Sequence, residues 1–318
     1  GRQVVEVLVH RGARMELVLD AVQARHQQGD EGQIGVAHRV GEAGFHQLQD
    51  FPGGGVRVEA LGAGGRRFAV EAFAVFLVEV PAAAQRLAAV RDAMRRAARI
   101  SEKIIDGLME RTALGVPKNE VVAAAMADAV TGAEGHWGDY PAIVPLLPSG
   151  PDAAAPHLTW NGRPFAGGEA TFFEISGCYR RYHAPLCRTI FLGTPPDFLK
   201  RAEEALLRGL EAGIDMARAG NRACDVAEAL ADELGKSDIK RAARCGYPIG
   251  LSYPPDWGER TISLRAEDET VLEPGMTFHF MPGLWMEDWG LEITESILIT
   301  PDGPAEPLCN RPRDVVVK

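Results

Sequence analysis

The sequence predicts an α+β fold in which a pair of helices followed by strands occurs twice along residues 86–318. The first observation is an apolar residue on each helical turn between Leu87 and Leu108, with Arg and Glu between them. The second is a β-prone stretch, residues 172–192, in which two runs flank Gly177. The third is a second cycle of helices and strands that begins at Pro195. This internal pseudo-repeat is inferred from the order of the elements alone.

The first cycle opens with a long amphipathic helix that ends near Gly115, where the Leu-Gly pair is a stop signal. A second helix is predicted from Pro117 to about Val130. A strand over residues 142–147 and a loop that delivers His157 follow. The 172–192 stretch is then predicted to form an antiparallel hairpin that turns at Gly177.

The second cycle repeats this order. Helices are predicted over residues 197–219 and 221–234, followed by a loop over residues 245–251. One strand is predicted over residues 271–285, with turn signals at each end, and a final strand over residues 290–300.

Residues 1–100 have an abnormal composition, since they contain no Ser, Thr, Asn, Lys, Tyr, Trp or Cys. Turns and helix caps in folded domains rely on Asn and Ser. Through Arg86, nearly every residue is of a type whose codons begin with G or C; the exceptions are Met15, Ile34 and five phenylalanines. A GC-rich gene read in a shifted frame or on the opposite strand produces this bias.

We therefore expect residues 1–85 to be an atypical segment, frame-shifted or unrelated to a native N-terminal domain, and residues 86–318 to be the catalytic domain. The alternative is a genuine domain rich in Ala, Val and Gly. In that case residues 17–19 and 76–80 are candidate strands.

Composition narrows the class of protein. The net charge is −10 and no basic stripe is present, so nucleic acid is a poor partner. No apolar run reaches the roughly 18 residues of a membrane span. The five cysteines are scattered without C-x-x-C spacing, which is typical of reduced thiols in a cytoplasm. A secretory leader pattern is not visible.

Five short motifs occur in a fixed order over about residues 86–310. They are Ser149-Gly150-Pro151 with His157, the Phe-Glu-Ile-Ser-Gly run with Arg188-Thr189, Gly246-Tyr-Pro-Ile-Gly-Leu251, Leu272-Glu-Pro-Gly-Met276, and Gly290-Leu-Glu-Ile-Thr-Glu295. On these motifs the chain resembles the superfamily of creatinase, prolidase and the methionine and proline aminopeptidases. The resemblance implies a pita-bread catalytic domain over residues 86–318 and a homodimer.

The resemblance also bears on metal ions. In the metallopeptidases of the superfamily, two Asp, one His and two Glu hold two metal ions, and the equivalent positions here are Glu174, Pro185, Tyr247, Met281 and Thr294. Pro, Met and Thr side chains cannot act as anionic ligands. We therefore expect no metal, no other cofactor and no working aminopeptidase or prolidase. Metal-free members open C–N bonds in small amidine-like or guanidine-like substrates, and residues 250–260 and 278–290 are most similar to members that act on a cyclic amidine.

The expected catalytic residues are Glu174, Glu292 and His157. Glu174 would act on the substrate as nucleophile or general base, and the sequence does not separate these roles. Glu292 lies two residues before Thr294, so strand alternation aims it into the same site, where converging carboxylates raise one pKa. The resemblance gives His157 a proton-shuttling role. The alternatives are a solvated Glu174, a rim salt bridge for Glu292 and a structural role for His157.

A pocket for a cationic ring with a carboxylate needs an acid, aromatic faces and a cation. The candidate substrate-binding residues are Tyr247, Tyr253, Trp257, Arg260, Trp285, His183 and His279. Arg260 is the candidate partner of a substrate carboxylate, with a surface ion pair as its alternative, and ordinary core is the alternative for the aromatic residues. The other functions that we consider are a creatinase-like hydrolase of another substrate, an Xaa-Pro peptidase-like protein and an inactive pita-bread binding module.

Overall fold

The computed structural model describes residues 2–9, 13–20, 45–50, 55–61, 67–73, 80–241 and 243–318, with side-chain environments from residue 88 onward. The backbone divides into two compact units, Gly1–Ala83 and Ala84–Lys318. Among the described helices, none combines the length and the apolar character that a membrane crossing requires.

The described part of the first unit consists of antiparallel strands. Strands β1 (Arg2–Val9) and β2 (Ala13–Asp20) form a hairpin, and β3 (Phe45–Asp50), β4 (Gly55–Leu61) and β5 (Arg67–Phe73) form a sheet in that order. The candidate strand at residues 17–19 lies within β2, whereas residues 76–79 lie outside the described residues. The origin of residues 1–85 in another reading frame stays a prediction.

The second unit contains the predicted helix–helix–strand order twice. Its helices are α1 (Val80–Arg111, counted from its first turn), α2 (Lys118–Thr131), α3 (Asp197–Met216) and α4 (Ala223–Gly235), with a 3-10 helix at Gly150–Ala154. Its strands are β6 (Ala170–Tyr179), β7 (Tyr182–Phe191), β8 (Gly246–Pro248), β9 (Thr277–Phe280), β10 (Gly283–Trp285), β11 (Gly290–Glu292), β12 (Glu295–Leu298), β13 (Glu306–Pro307) and β14 (Val316–Val317). The four helices match the predicted segments, apart from shifts of their ends.

The β6–β7 hairpin is present, but the prediction that it turns at Gly177 is wrong. The turn is formed by Arg180 and Arg181, which have φ angles of 49° and 69°, and a two-residue turn of this kind matches the twist of the flanking strands. Gly177 lies inside β6, where an added Cβ would stand 2.2 Å from the carbonyl oxygen of Ala97 in α1. Gly177 therefore lets helix α1 pack directly on the strand.

Three strand predictions also need correction. Residues 142–147 are not a strand, since Leu146 makes only an isolated bridge with Glu174. The predicted strand 271–285 is two short strands, β9 and β10, separated at Pro282, which has no N–H for a ladder. The predicted strand 290–300 is likewise divided into β11 and β12, and these two belong to different sheets.

The core is divided by the β6–β7 hairpin. One face of the hairpin, with Phe173, Ile175 and Leu186, packs against α1 and α2. Helices α3 and α4 pack against the sheet of order β13-β12-β9-β8. The other face of the hairpin carries Phe172 and Cys187, which pack with Ala153 of the 3-10 helix. This second face, which also carries Glu174, is enclosed by the two halves of the pseudo-repeat.

Candidate active site

Glu174 lies at the centre of the enclosed face. It pairs with Cys187 across the hairpin, and its backbone exchanges two hydrogen bonds with Leu146, at 2.9 and 3.0 Å. Its side chain is buried, with 2% of the residue exposed. Burial raises the pKa of Glu174 to about 8, and the negative charge of Asp256 acts in the same direction. The alternative of a solvated Glu174 is therefore wrong.

Glu292 is the second acid of this site. It ends strand β11 and is fully buried, and neither of its carboxyl oxygens has a hydrogen-bond partner within the described part of the chain. Burial raises the pKa of Glu292 well above 4.5, and the charge of Glu174 raises it further. A rim salt bridge, the alternative for Glu292, is not formed. An unpartnered buried carboxyl is costly, so its retention points to a ligand.

Trp285 carries a second unpartnered atom in the same two-stranded sheet. Strands β10 and β11 pair Gly283 with Glu292 and Trp285 with Gly290. The indole N–H of Trp285 is buried without a hydrogen-bond partner. It approaches Glu292 closely enough to lower the pKa of that carboxyl, but outside hydrogen-bonding geometry. The sheet thus holds a free donor beside a free carboxyl.

A chain of side-chain hydrogen bonds closes the other side of Glu174. Trp257 Nε1 donates to the Tyr247 hydroxyl at 2.9 Å, and this oxygen lies 2.8 Å from Nδ1 of His279. His279 Nε2 lies 2.7 Å from Thr294 Oγ1. Burial lowers the pKa of His279 to about 3, and the charge of Arg244 adds to this effect. The imidazole is therefore neutral, donating through one nitrogen and accepting through the other.

The donor set does not fit a dinuclear metal centre. Of the five positions that the resemblance equates with metal ligands, Glu174 alone is a carboxylate. The hydroxyls of Tyr247 and Thr294 are engaged with His279, whose two ring nitrogens are both used in this way. Residues 88–241 and 243–318 contain no group of three His, Cys, Asp or Glu side chains arranged to hold an ion.

His183 has a structural environment. Its Nε2 accepts a hydrogen bond from the backbone N–H of Ala142 at 2.9 Å, and its Nδ1 lies 3.0 Å from the carbonyl oxygen of Arg181. Its ring lies 6.5 Å from that of Trp257, behind the hydrogen-bonded chain. Burial lowers the pKa of His183 to about 4, so this residue is a neutral brace of the hairpin end.

Three of the predicted site residues lie at the surface. His157 is exposed and follows the 3-10 helix. The backbone carbonyl of the next residue, Leu158, accepts a hydrogen bond from Leu147, and Leu147 directly follows Leu146, which pairs with Glu174. His157 is therefore an exposed residue on the rim, connected to the acid only through the backbone of Leu158, Leu147 and Leu146. Tyr253 is exposed and stacks on the guanidinium of Arg181 at 4.7 Å, and Arg260 is exposed.

The structure thus brings together Glu174, Glu292, Tyr247, His279, Trp257 and Trp285. Sequence reasoning missed Arg241, whose guanidinium stacks on Trp285 with 5.4 Å between Cζ and the ring centroid. It also missed Arg244, which lies 4.7 Å over the ring of Tyr247. The only signal for them was their position just before the Gly-Tyr-Pro-Ile-Gly motif.

Comparison with known proteins agrees with this architecture. A family model for metallopeptidase family M24 matches residues 92–301. An ectoine hydrolase from Halomonas elongata is 57% identical over 230 residues, which cover 69% of this chain and 57% of that protein. An uncharacterized hydrolase/peptidase from Sinorhizobium fredii is 36% identical, over 71% of this chain and 57% of the relative. The chain thus spans less than two thirds of the length of these relatives.

Solved structures give the same result. The dipeptidase PepE from Mycobacterium ulcerans superposes with a TM-score of 0.64 at 25% identity, over 72% of this chain and 60% of that one. The prolidase from Pyrococcus furiosus superposes with a TM-score of 0.63 at 22% identity, over 71% of this chain and 65% of that one. The fold class predicted from the sequence is confirmed, and the chain belongs to metallopeptidase family M24.

Proposed function

We propose that residues 86–318 are the catalytic domain of a metal-independent hydrolase that opens the cyclic amidine C–N bond of ectoine to give N-acetyl-2,4-diaminobutyrate. The observation that carries the proposal is the buried acid pair of Glu174 and Glu292, the second of which has no protein partner for either oxygen. The 57% identity to an ectoine hydrolase supports the choice of substrate. The homodimer and the cytoplasmic location stay predictions.

The chemistry of ectoine suits this acid pair. Ectoine carries a cyclic amidinium and a carboxylate, so one end is a delocalised cation. A cation bound beside Glu174 favours the ionised form of this carboxyl and lowers its pKa from about 8. Substrate binding would thereby generate the carboxylate that the reaction needs. A cationic ligand also supplies a counter-charge to the ionised Glu174, which lies buried beside the second acid of the site.

The reaction adds water across one C–N bond of the ring. Glu174 attacks the amidine carbon, or removes a proton from a water molecule that attacks it. Glu292, held as a neutral acid by its raised pKa, gives a proton to the departing nitrogen. Water finally supplies the oxygen of the new amide and restores the proton of the acid pair. The rim position of His157 suits proton exchange with solvent.

Metal independence is supported by the donor chemistry at the positions that bind metal in related metallopeptidases. His279 bridges Tyr247 and Thr294 by hydrogen bonds, and Pro185 and Met281 offer no anionic group. A neutral imidazole with both nitrogens engaged is not available as a metal ligand without breaking this chain. The acids of the site therefore have to act directly on the substrate.

Two other functions are weaker. A creatinase-like hydrolase of another small guanidine would also use a buried acid pair, and the identity to an ectoine hydrolase is what favours ectoine over it. An Xaa-Pro peptidase-like function is weaker because this chain lacks the set of metal ligands that peptide hydrolysis uses in the family. An inactive binding module would gain nothing from two unpaired oxygens on Glu292, which lower the stability of the fold.

The test is consumption of ectoine by the purified chain, followed by proton NMR, before and after dialysis against EDTA. We expect N-acetyl-2,4-diaminobutyrate to form at the same rate in both samples. We expect Glu174→Gln to reduce the rate by about a thousandfold or more, as loss of a nucleophile or base does. The matched control is Glu287→Gln, an exposed acid between β10 and β11, which should retain the wild-type rate.

The outcomes separate the hypotheses. Loss of activity on chelation that returns with Mn²⁺ or Zn²⁺ would overturn metal independence. Turnover of creatine and not ectoine would favour the creatinase-like alternative, and turnover of an Xaa-Pro dipeptide the peptidase alternative. Wild-type rates in Glu174→Gln would remove Glu174 from its assigned role.

A further inference from the structure

The two-stranded sheet β10–β11 carries a buried polar group, besides Glu292, that the proposed reaction does not use. Among the residues that the structure describes, none accepts a hydrogen bond from the buried indole N–H of Trp285. Donors of this kind are normally paired when they are buried, because an unpaired buried N–H loses its hydrogen bond to water. The donor therefore points to an acceptor atom on a ligand.

Arg241 places a positive charge over the ring that carries this donor. Its guanidinium stacks on the Trp285 ring, with 5.4 Å between Cζ and the ring centroid. Its hydrogen bonds go to the backbone carbonyl oxygens of Gly283, Ala243, Arg244 and Met281. Within residues 88–241 and 243–318, no carboxylate forms an ion pair with Arg241. The guanidinium is fixed in place, and the carboxyl of Glu292 is close enough to act on it. While Glu292 stays protonated, the charge of Arg241 is not neutralised.

The position of Arg241 also fixes the sheet that carries both free groups. Its Nε donates to the carbonyl oxygen of Gly283 at 2.9 Å, and Gly283 is the cross-strand partner of Glu292. The guanidinium therefore lies against one end of the sheet and the indole lies over it. A ligand that enters here meets the Trp285 donor and the neutral acid of Glu292 under a positive potential, and such a site favours an anion.

We propose that Trp285 Nε1, backed by the charge of Arg241, binds the carboxylate of a zwitterionic cyclic amidine, while Glu174 binds the amidinium end. This inference rests on the proposed function and assigns the two ends of the substrate to two sides of the site. Arg241 acts through Trp285 and is a positioning residue. The exposed Arg260, which the sequence suggested for the carboxylate, is the rival candidate.

The test compares ectoine with 2-methyl-1,4,5,6-tetrahydropyrimidine, the same ring without the carboxylate. Trp285→Phe removes the N–H and retains an aromatic ring. We expect the KM for ectoine to rise about 10-fold or more, the size of a lost hydrogen bond to a charged group, with the KM for the carboxylate-free ring unchanged. Trp289→Phe is the matched control, since Trp289 packs on Phe198, 5.2 Å between ring centroids, in another cluster.

Arg241→Gln and Arg241→Lys separate charge from packing. Gln retains a donor for Gly283 but no charge, and should raise the KM for ectoine alone, whereas Lys should recover most of the wild-type value. The same measurements are made as Kd values by titration calorimetry on the Glu174→Gln background, where the substrate is not consumed.

Each result decides between the assignments. The carboxylate assignment would be overturned by equal KM changes for the two ring compounds, or by an unchanged KM for ectoine in Trp285→Phe. In either case, ectoine turnover by the wild type would leave the hydrolase proposal intact. A selective loss in Arg260→Met and not in Trp285→Phe would move the carboxylate to the rival. Binding of ectoine without turnover would overturn the hydrolase proposal, and the Kd ratios would still decide the role of Trp285. Absence of ectoine binding would overturn both.

Discussion

The hydroxyl of Tyr247 lies 2.8 Å from Nδ1 of His279, on facing residues of strands β8 and β9. The two rings are nearly perpendicular, at 83°. His279 also lies 3.9 Å from Glu174 Oε1, so the imidazole separates the acid from Thr294. These side chains form a closed polar wall beside the reacting carboxyl. A wall of fully paired, hydrogen-bonded neutral groups is rigid.

The first prediction concerns this wall. His279→Ala would leave the Tyr247 and Thr294 hydroxyls without their partner and would open a cavity, so the free energy of unfolding should fall by about 2–4 kcal/mol. Urea denaturation monitored by circular dichroism measures the change. His157→Ala is the matched control, because His157 is exposed, and it should leave the midpoint unchanged. Equal stability of the two variants would contradict the structural role of His279.

The second prediction concerns pH. The unfolded chain releases the proton of Glu174 near pH 4.5, whereas the folded chain retains it until about pH 8. This group therefore contributes stability that is full below pH 4.5 and is lost as the pH rises through 8. Burial lowers the pKa of His279 to about 3 and of His183 to about 4, which opposes this trend at acidic pH. Glu292, whose pKa is also raised, acts in the same direction as Glu174, so the window between pH 6.5 and 8 reports the two acids and not the histidines.

In that window, the free energy of unfolding of the wild type should fall more steeply with pH than that of Glu174→Gln, which lacks one of the two buried acids. The measurement is a series of urea melts at closely spaced pH values. Parallel pH profiles for the two proteins would show that Glu174 ionises normally in the folded state. Such a result would remove the basis for substrate-induced ionisation.

The third prediction concerns the packing of α1 on the hairpin. In Gly177→Ala, the new methyl group would stand 2.2 Å from the backbone oxygen of Ala97 and 2.6 Å from the backbone nitrogen of Ser101. Backbone atoms cannot yield without moving the helix, so we expect a loss of about 3 kcal/mol or more, or no folded protein. Gly235→Ala is the control, since an added Cβ there meets nothing within 4 Å. This variant should be neutral or more stable, and its destabilisation would contradict the argument.

The fourth prediction concerns a buried ion pair next to the site. Arg188 Nη2 lies 2.6 Å from Glu295 Oε1, and both side chains are at most 3% exposed. Arg188→Met would leave the acid with Arg313 as its one remaining described partner, so stability should fall by about 3–5 kcal/mol. Arg163→Met removes an exposed pair with Asp152 and should cost less than about 1 kcal/mol. Similar losses in thermal melts of both variants would contradict the distinction.

The sequence was sufficient for the fold class because periodicity and motif order are local signals. The helices and the β6–β7 hairpin follow from apolar spacing and β propensity. The turn could not be placed from the sequence, because glycine is selected both at turns and where two backbones pack closely. Gly177 serves the second purpose, since it contacts α1, more than seventy residues earlier. The short strands after residue 245 were merged for a similar reason, since their pairing depends on tertiary partners.

The candidate site was foreseen in part. Glu174, Glu292 and Tyr247 were expected at the site, and the structure places them there; their catalytic and binding roles stay predictions. The bridge from His279 to Thr294 was not foreseen, because it joins strand β9 to the segment between β11 and β12, and no local pattern encodes their approach. Arg241 was missed for the same reason, since its contacts lie about forty residues further along the chain.

The imidazole bridge between Tyr247 and Thr294 also constrains how this lineage can change. A Glu at position 294 would place a carboxylate against His279, while two further positions of the ligand set would still hold Pro185 and Met281. Such a single substitution would break the bridge without completing the ligand set of the related metallopeptidases. Converting this site into theirs would therefore require several simultaneous substitutions.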